Sequence, residues 1–396
     1  MTRVTTLMHS IYLDHNATTP LADEAAAAME ECRRAAWANP SSQHAAGRRA
    51  RRVLEDAREG IARILGADIA SSQPDRLIFT SGGTDANNLA LLGLAGATPS
   101  QVIVSAIEHP SVQGAAEELA RRGHPVARLG VAADGVVRVA DLPALLARPT
   151  SLVSLMLGNN ETGVLQPVAE AATLCAAAGV LIHTDAAQVA GKMPINVPAL
   201  GVAALTVAAH KFHGPRGIGA LLLRYGVSPR PLLFGGVQQD ALRPGTECVE
   251  LAAGMFAALA AWERDHTART ERMARLRDLF EQRLQAYAVT AGLNFVVHGL
   301  AAPRLPHVSC LAFPGLDRQA LLMALDLAGV ACSSGSACAS GSSEPSPTLA
   351  AMGCPPEVLE SSLRFSLGAG TTESDIAAAV ERISLACNDL RRQKRA

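Results

Sequence analysis

The sequence predicts an α/β protein, in which a large domain built on a mostly parallel β-sheet is joined to a smaller α+β domain. Between residues 76 and 223, short apolar or β-branched runs alternate with helical stretches, as in strands connected by crossover helices. The predicted strands cover residues 76–80, 101–106, 151–157, 180–186, 203–209 and 219–223. A chain of 396 residues that is 49% apolar is long enough to bury a large core and to form two domains.

Helical periodicity flanks the predicted sheet on both sides. Residues 45–65 place apolar side chains at a helical spacing with charged residues between them, which predicts an amphipathic helix lying on the large domain. Residues 255–290 form a long amphipathic stretch without Gly or Pro, which would lead the chain into the next domain. We therefore expect a large domain over residues 17–255 and a small domain formed by residues 1–16 and 256–396.

Composition excludes several classes of partner. The 35 basic and 36 acidic residues leave a formal charge of -1, so bulk charge attracts neither nucleic acid nor an anionic membrane. The first residues lack the apolar core of a secretory signal, and no apolar run is long enough to span a bilayer. We expect a cytoplasmic protein whose eight scattered cysteines are mostly free thiols.

A glycine-rich turn follows the first predicted strand of the large domain. Residues 79–88 run from the strand through Gly82 and Gly83 into a helical pattern that begins near Thr84. Glycines let a backbone approach an anion, and the N-terminus of a helix stabilises a phosphate. The segment is neither a Walker loop nor a dinucleotide fingerprint, and by itself it is equally compatible with a tight connection that binds nothing.

Two reactive side chains follow later strands. Asp185 ends one strand, at the sheet edge where α/β proteins bind ligands, and Lys211 follows the next strand. Taken singly, such an Asp is also typical of a helix cap or metal ligand, and most lysines are simply exposed. Together, a phosphate cradle, a carboxylate and an amine predict pyridoxal 5′-phosphate (PLP). The carboxylate would keep the pyridine nitrogen protonated, and the amine would bond the cofactor aldehyde as a Schiff base.

With these motifs in place, nearly the whole chain resembles the cysteine desulfurases of the class V aminotransferase group. The resemblance implies a PLP-dependent transferase fold of type I for the large domain. Ten matching stretches occur in the family's order, and this order is more specific than any single motif. They are residues 12–20, 39–47, 81–84, 108–110, 159–163, 185–188, 210–211, 243–246, 333–340 and 364–368.

The resemblance implies roles for the residues around the cofactor ring. Lys211 would carry the cofactor and Asp185 would pair with its pyridinium nitrogen. His109 would stack on the ring and take part in catalysis, although a structural buried histidine is the alternative. Asn160 and Gln188 would donate hydrogen bonds to the substrate or to the phenolic oxygen of the cofactor.

The resemblance also implies how phosphate and substrate are held. Gly83, Thr84 and His210 would bind the phosphate. Thr246 would reach the phosphate in the other subunit of a homodimer, unless it is only a turn residue. Arg364 would bind the substrate carboxylate through its planar guanidinium.

Cys338 lies in a Gly- and Ser-rich segment, residues 333–341, which predicts a loop that exposes its thiol. It resembles the family's nucleophile, which attacks the sulfur of bound L-cysteine and keeps it as a persulfide while alanine leaves. A base or cation should approach this thiol when the loop closes. Cys332 raises the alternative of a metal pair or disulfide, but the spacing matches no common zinc motif, and we expect no metal.

Two positions and one short segment depart from the family pattern. Ala208 replaces a serine that bonds the cofactor phosphate in many members, so we expect water or a neighbouring hydroxyl to substitute. Residues 235–240 lack the third glycine and the Gln/His-Glu pair that are common there, which affects acceptor access or dimer contacts. Asp85 stands where glutamate is commoner.

These observations predict that the chain removes sulfur from L-cysteine and delivers it to an acceptor protein, such as an iron-sulfur cluster scaffold or a tRNA-thiolation relay. The sequence does not name that acceptor. Selenocysteine lyase, or another class V lyase or aminotransferase, is the alternative within the same cofactor chemistry. Cys338 favours desulfuration because transamination needs no mobile thiol. A non-catalytic partner subunit is a further alternative, against which the presence of Lys211 and Cys338 argues.

Overall fold

A computed structural model describes residues 10–335 and 345–395 of the chain, so Cys338 lies outside the described residues. The strands of the described part are β1 (Ile11–Tyr12), β2 (Arg76–Thr80), β3 (Gln101–Ser105), β4 (Val126–Leu129), β5 (Thr150–Ser154), β6 (Leu181–Asp185), β7 (Ala204–Ala208), β8 (Gly219–Leu223), β9 (Val296–Val297), β10 (Val308–Ala312), β11 (Val330–Ala331) and β12 (Ser362–Ser366).

The helices of the same residues are α1 (Asp23–Ala35), α2 (Ala45–Ile64), α3 (Gly83–Leu94), α4 (Pro110–Arg121), α5 (Leu142–Leu146), α6 (Val168–Ala177), α7 (Val197–Leu200), α8 (Val249–Glu263), α9 (His266–Ala291), α10 (Arg318–Leu327), α11 (Pro347–Ala351), α12 (Pro356–Leu359) and α13 (Glu373–Arg395). None of them is long and apolar enough to cross a membrane.

Seven of the described strands form one large sheet in the order β2-β8-β7-β6-β5-β3-β4. Strand β8 runs antiparallel to both of its neighbours, and the other pairs are parallel. This confirms the predicted α/β fold with a mostly parallel sheet. Because β6 and β7 are adjacent and parallel, with Asp185 opposite Thr206, their carboxyl ends meet at one edge of the sheet. Asp185 and the segment that follows Ala208 therefore lie close together.

Buried apolar side chains cover both faces of this sheet, which explains why its strands are continuous apolar runs. Helix α2 packs its apolar stripe on the sheet, with Leu54, Ala57 and Ile61 buried. Helix α8 contributes Leu259 and Trp262 to the same core. The predicted amphipathic stretch at 255–290 therefore forms the end of α8 and most of α9.

A second core lies in the remainder of the chain. Strands β9, β10 and β12 form an antiparallel sheet, and β1 pairs in parallel with β11. Leu13, near the N-terminus, packs in one cluster with Phe280, Phe313 and Phe365. The N-terminal segment thus shares a core with residues from the last third of the chain, and the residue bounds of the two domains stay a prediction.

Candidate active site

The glycine-rich turn lies between β2 and the N-terminus of α3. A Cβ atom at Gly83 would lie 3.3 Å from the Cβ of Ala208, so the turn packs closely on the end of β7. Asp85 holds the turn, because its Oδ2 accepts hydrogen bonds from the backbone N–H of Ser81 at 2.8 Å and from the Ser81 hydroxyl at 3.0 Å. Arg243 reaches the same oxygen at 3.3 Å and ties its loop to the turn. Asp85, although one methylene shorter than the glutamate that is commoner at this position, therefore fixes the turn through hydrogen bonds.

Asp185 is buried at the end of β6, and a chain of hydrogen bonds connects it to His109. The amide of Asn87 donates to Asp185 Oδ2 at 2.7 Å and to the hydroxyl of Ser111 at 2.9 Å. That hydroxyl lies 2.8 Å from Nδ1 of His109, the residue that caps α4. The predicted pyridinium partner and the predicted ring-stacking residue thus belong to one polar network.

Lys211 lies in a short 3-10 turn that follows β7, and its amine is held by the N-terminal segment. Lys211 Nζ donates to the carbonyl oxygens of Asn16 at 2.6 Å and Ala17 at 3.0 Å. His210, the preceding residue, contacts the hydroxyl of Thr18 through Nδ1 at 3.2 Å. The segment 16–18 therefore fixes both residues of the predicted His-Lys pair.

Asn16 connects most of the remaining predicted site residues. Its carbonyl oxygen also accepts from the Gln188 amide at 3.2 Å, and its own amide donates to the carbonyl of Asn160 at 3.0 Å. The Asn16 side-chain oxygen lies 2.8 Å from Nε2 of the buried His307. Lys211, Gln188 and Asn160 are thereby brought around one residue.

Arg364 is 1% exposed and lies beside Asn160. One outer guanidinium nitrogen donates to the Asn160 carbonyl at 3.0 Å and the other to Asp14 Oδ1 at 2.7 Å. The ion pair with Asp14 places the guanidinium at the junction of the N-terminal segment and β12. The Arg364 guanidinium is therefore a buried positive charge in direct contact with Asn160.

The electrostatics of the site keep the imidazoles near Lys211 neutral. Burial lowers the pKa of His109, opposed by the charge of Asp185 and reinforced by Lys211. Burial, followed by Lys211, lowers the pKa of His210 to about 4. Burial raises the pKa of the Glu108 carboxyl to about 8. At neutral pH these two imidazoles are therefore mostly uncharged in the protein without a bound anion.

The described residues on either side of the segment that contains Cys338 lie at this site. Ser333 exchanges two backbone hydrogen bonds with Arg364, at 2.7 and 3.1 Å. A Cβ atom at Gly335 would lie 3.0 Å from Glu161 Oε2, and the Ser346 hydroxyl donates to the same oxygen at 2.6 Å. Both described ends of the segment therefore lie next to Glu161, the neighbour of Asn160.

Thr246 is exposed, like Thr84, and lies on the loop that precedes α8. The cross-subunit role of Thr246 stays a prediction. Sequence reasoning assigned no role to Asn16, Asn87 or Glu108, although all three fall within or beside matching stretches.

Sequence reasoning also passed over Lys192, which is 5% exposed. Counting lysines would have drawn attention to Lys192, because the chain has only three lysines (Lys192, Lys211 and Lys394) and 32 arginines.

The donor set fits PLP. A buried carboxylate at a strand end, an amine one strand further and the N-terminus of a 12-residue helix supply partners for the pyridinium, the aldehyde and the phosphate. No group of three His, Cys, Asp or Glu side chains among residues 10–335 and 345–395 is arranged to hold a metal. The fold and the site define a PLP-dependent enzyme of fold type I.

Comparisons with known proteins identify the family. The model of the family "Aminotransferase class-V" matches residues 11–378. A "Cysteine desulfurase" of Cereibacter sphaeroides is 41% identical over 388 residues, which cover 97% of each chain. "Cysteine desulfurase IscS" of Dictyoglomus turgidum is 39% identical over 373 residues, 93% of this chain and 92% of the relative.

A solved structure agrees with this assignment. The "NifS-like protein from Rickettsia africae ESF-5" superposes with a TM-score of 0.86 at 32% identity, over 96% of this chain and all of that one. The chain belongs to the cysteine desulfurases of the class-V aminotransferase family, whose members use PLP to take sulfur from cysteine and pass it to acceptors. The predicted family, fold class and cofactor are thereby confirmed.

Proposed function

We propose that this chain removes the sulfur of L-cysteine, releasing L-alanine and retaining the sulfur as a persulfide on Cys338. The observation that carries the proposal is the position of Ser333, Gly335 and Ser346 against Arg364 and Glu161. Cys338 is three residues after Gly335, and three residues of chain reach at most about 11 Å. The Cα atom of Cys338 is therefore within this distance of Gly335, which packs against Glu161, the neighbour of Asn160.

In this proposal each described residue has a defined task. When bound, PLP supplies an electron sink that weakens the bonds of an attached amino acid. Asp185, oriented by Asn87, holds the proton on the pyridine nitrogen, and the helix N-terminus at Gly83 and Thr84 binds the phosphate. Ala208 brings no hydroxyl to this cradle, so water or a neighbouring hydroxyl supplies the missing contact.

On the substrate side, Arg364 binds the carboxylate of L-cysteine, and Asn160 and Gln188 border the same space. Lys211 carries the cofactor and moves protons at the substrate α-carbon. His109 stacks on the cofactor ring, where its neutral imidazole is oriented by Ser111.

The sulfur transfer needs no outside oxidant or reductant. The Cys338 thiolate attacks the substrate sulfur and forms an S–S bond, while the bond between that sulfur and the β-carbon breaks. The electron pair of the broken bond stays with the carbon, which takes up a proton and leaves as alanine. The product on the enzyme is a Cys338 persulfide. A thiolate of an acceptor protein then attacks its outer sulfur, the S–S bond to Cys338 breaks, and the Cys338 thiolate is regenerated.

We further propose that the chain acts as a homodimer in which Thr246 reaches the phosphate in the partner subunit. The exposure of Thr246 and the link from Arg243 to Asp85 support this, since the loop that carries Thr246 is tied to the phosphate cradle. We propose a cytoplasmic location and an acceptor protein in iron-sulfur cluster assembly or a sulfur relay.

Peptide mapping tests the cofactor site. Borohydride fixes PLP permanently to the lysine that carries it, and the chain offers only Lys192, Lys211 and Lys394. The proposal predicts the label on Lys211 and its loss in Lys211→Ala. A label on Lys192 would contradict the assigned roles, and Lys394→Ala is the matched control.

Dialysis tests whether another group replaces the phosphate contact that Ala208, unlike serine, does not make. If another group replaces the lost hydroxyl contact, PLP survives extensive dialysis, and Ala208→Ser changes its affinity by less than about threefold. If the parent protein loses PLP readily and Ala208→Ser prevents this loss, no other group replaces the missing hydroxyl contact.

A further inference from the structure

Lys192 lies within the site although none of the steps above uses it. Its side chain and that of Lys211 line one cavity of about 420 Å³, and Lys192 is almost completely buried. Lys192 Nζ donates to Oε1 of Gln188, four residues earlier in the chain, at 3.1 Å. A buried lysine needs a compensating reason, because a charged or unpaired amine is costly in the interior.

The two contacts of the Gln188 amide define its orientation. The Asn16 carbonyl can only accept, so the group that faces it at 3.2 Å is the NH₂ of Gln188. The oxygen of the amide then faces Lys192, which donates to it. With one N–H used by Asn16, the second N–H of Gln188 is the group left for a ligand.

We propose that Lys192 is a positioning residue that, together with the Asn16 carbonyl, holds Gln188 with an N–H directed at the phenolic oxygen of PLP. A flipped amide would present an oxygen to that phenolic oxygen, and two acceptors repel. This inference rests on the proposed role of Gln188 in cofactor binding.

The surroundings of Lys192 fit a donor that acts without a charge. Burial, followed by Lys211 and Arg364, lowers the pKa of Lys192 well below its ordinary value. The imidazoles of His15, His210, His213 and His307 also interact electrostatically with Lys192. The lowered pKa favours the uncharged amine, which still donates a hydrogen bond to Gln188.

A double-variant cycle on PLP-reconstituted protein tests the inference. The variants are Lys192→Met, which keeps the length of the side chain but donates nothing, Gln188→Ala, and the two combined. Two properties are measured, the dissociation constant of PLP and the pH midpoint of the absorbance change of the bound cofactor. Thermal unfolding of each PLP-free variant serves as the control for folding.

We expect Lys192→Met to weaken PLP binding about three- to tenfold, as for one lost hydrogen bond, and to raise the absorbance midpoint. The combined variant should equal Gln188→Ala, because Lys192 acts only through Gln188. Additive effects would overturn the inference. If Gln188→Ala itself changes neither property, the proposed role of Gln188 fails instead.

A second variant keeps the test open if Lys192→Met does not fold. Gln188→Glu replaces the N–H by an oxygen while retaining the acceptor that faces Lys192. We expect it to raise the midpoint more than Gln188→Ala does, because it adds repulsion to the lost bond. An equal or smaller rise would show that no N–H of Gln188 faces the cofactor, and the inference would be wrong.

Discussion

Replacing Glu108 with glutamine changes the pH dependence of stability without changing the shape of the site. The Glu108 carboxyl is buried after β3, and its Oε1 accepts from the Ser105 hydroxyl at 2.6 Å and from the Met156 N–H at 2.8 Å. Burial, aided by the charge of Asp185, raises its pKa to about 8. Glutamine retains the accepting oxygen and replaces the protonated oxygen with another donor, so it imitates the neutral acid.

The sign of this pH dependence follows from the number of protons that the folded and unfolded states bind. In the unfolded chain Glu108 loses its proton near its ordinary pKa of 4.5, whereas in the folded chain it keeps the proton until about pH 8. Between these values folding takes up a proton, so this carboxyl makes the parent protein less stable as pH rises. At about 1.4 kcal/mol for each pH unit, the whole interval corresponds to about 5 kcal/mol. Above about pH 8 the penalty stays constant.

Urea unfolding of the PLP-free parent and Glu108→Gln proteins, from about pH 5 to about pH 9, measures this difference. The variant should match the parent within about 1 kcal/mol at the acid end and exceed it by about 3 to 5 kcal/mol at the alkaline end. Parallel stability curves for the two proteins would refute the reasoning, since they would mean that Glu108 is ionised in the folded protein.

Three other substitutions test separate contacts. Ala241→Gly should raise the melting temperature, because Ala241 has φ +59° and a left-handed residue other than Gly costs about 1–2 kcal/mol. Ala147→Gly, at a right-handed position, should lower it, and the same sign for both would contradict the argument. Arg304→Met should cost about 3 kcal/mol in urea unfolding, because it leaves the buried Glu281 carboxylate without the two bonds of 2.8 and 2.9 Å that Arg304 donates. Adding Glu281→Gln should recover part of this, and a loss below about 1 kcal/mol in the single variant would be inconsistent with a buried pair. Asn87→Ala should weaken PLP binding about three- to tenfold by releasing Asp185, and unchanged affinity would show that Asp185 needs no such support.

The sequence predicted the large sheet because its strands are buried on both faces. Six of its seven strands were found as continuous apolar runs, within about three residues at their ends. Strand β4 was not found. It lies at the edge of the sheet, and its residues Val126 to Leu129 include an exposed arginine, so they make neither a continuous apolar run nor a clean alternation.

The site residues also differ in whether the sequence alone could predict them. Asp185 and Lys211 could be predicted because strand ends and residue chemistry are both visible in a sequence. The role of Asn16 could not, because it acts through its backbone carbonyl, which every residue possesses, on partners more than 170 positions away. Lys192 could have been noticed as one of only three lysines, but only the folded chain shows its contact with Gln188.

Desulfuration through Cys338 is tested by incubating the PLP-loaded protein with L-cysteine and a reductant and measuring alanine and sulfide. Cys338→Ala is compared with Cys248→Ala, which removes an exposed thiol elsewhere. We expect the parent and the Cys248 variant each to release alanine and sulfide in equal amounts, and the Cys338 variant to release neither. No alanine from a parent protein that holds PLP, or full activity without Cys338, would contradict it.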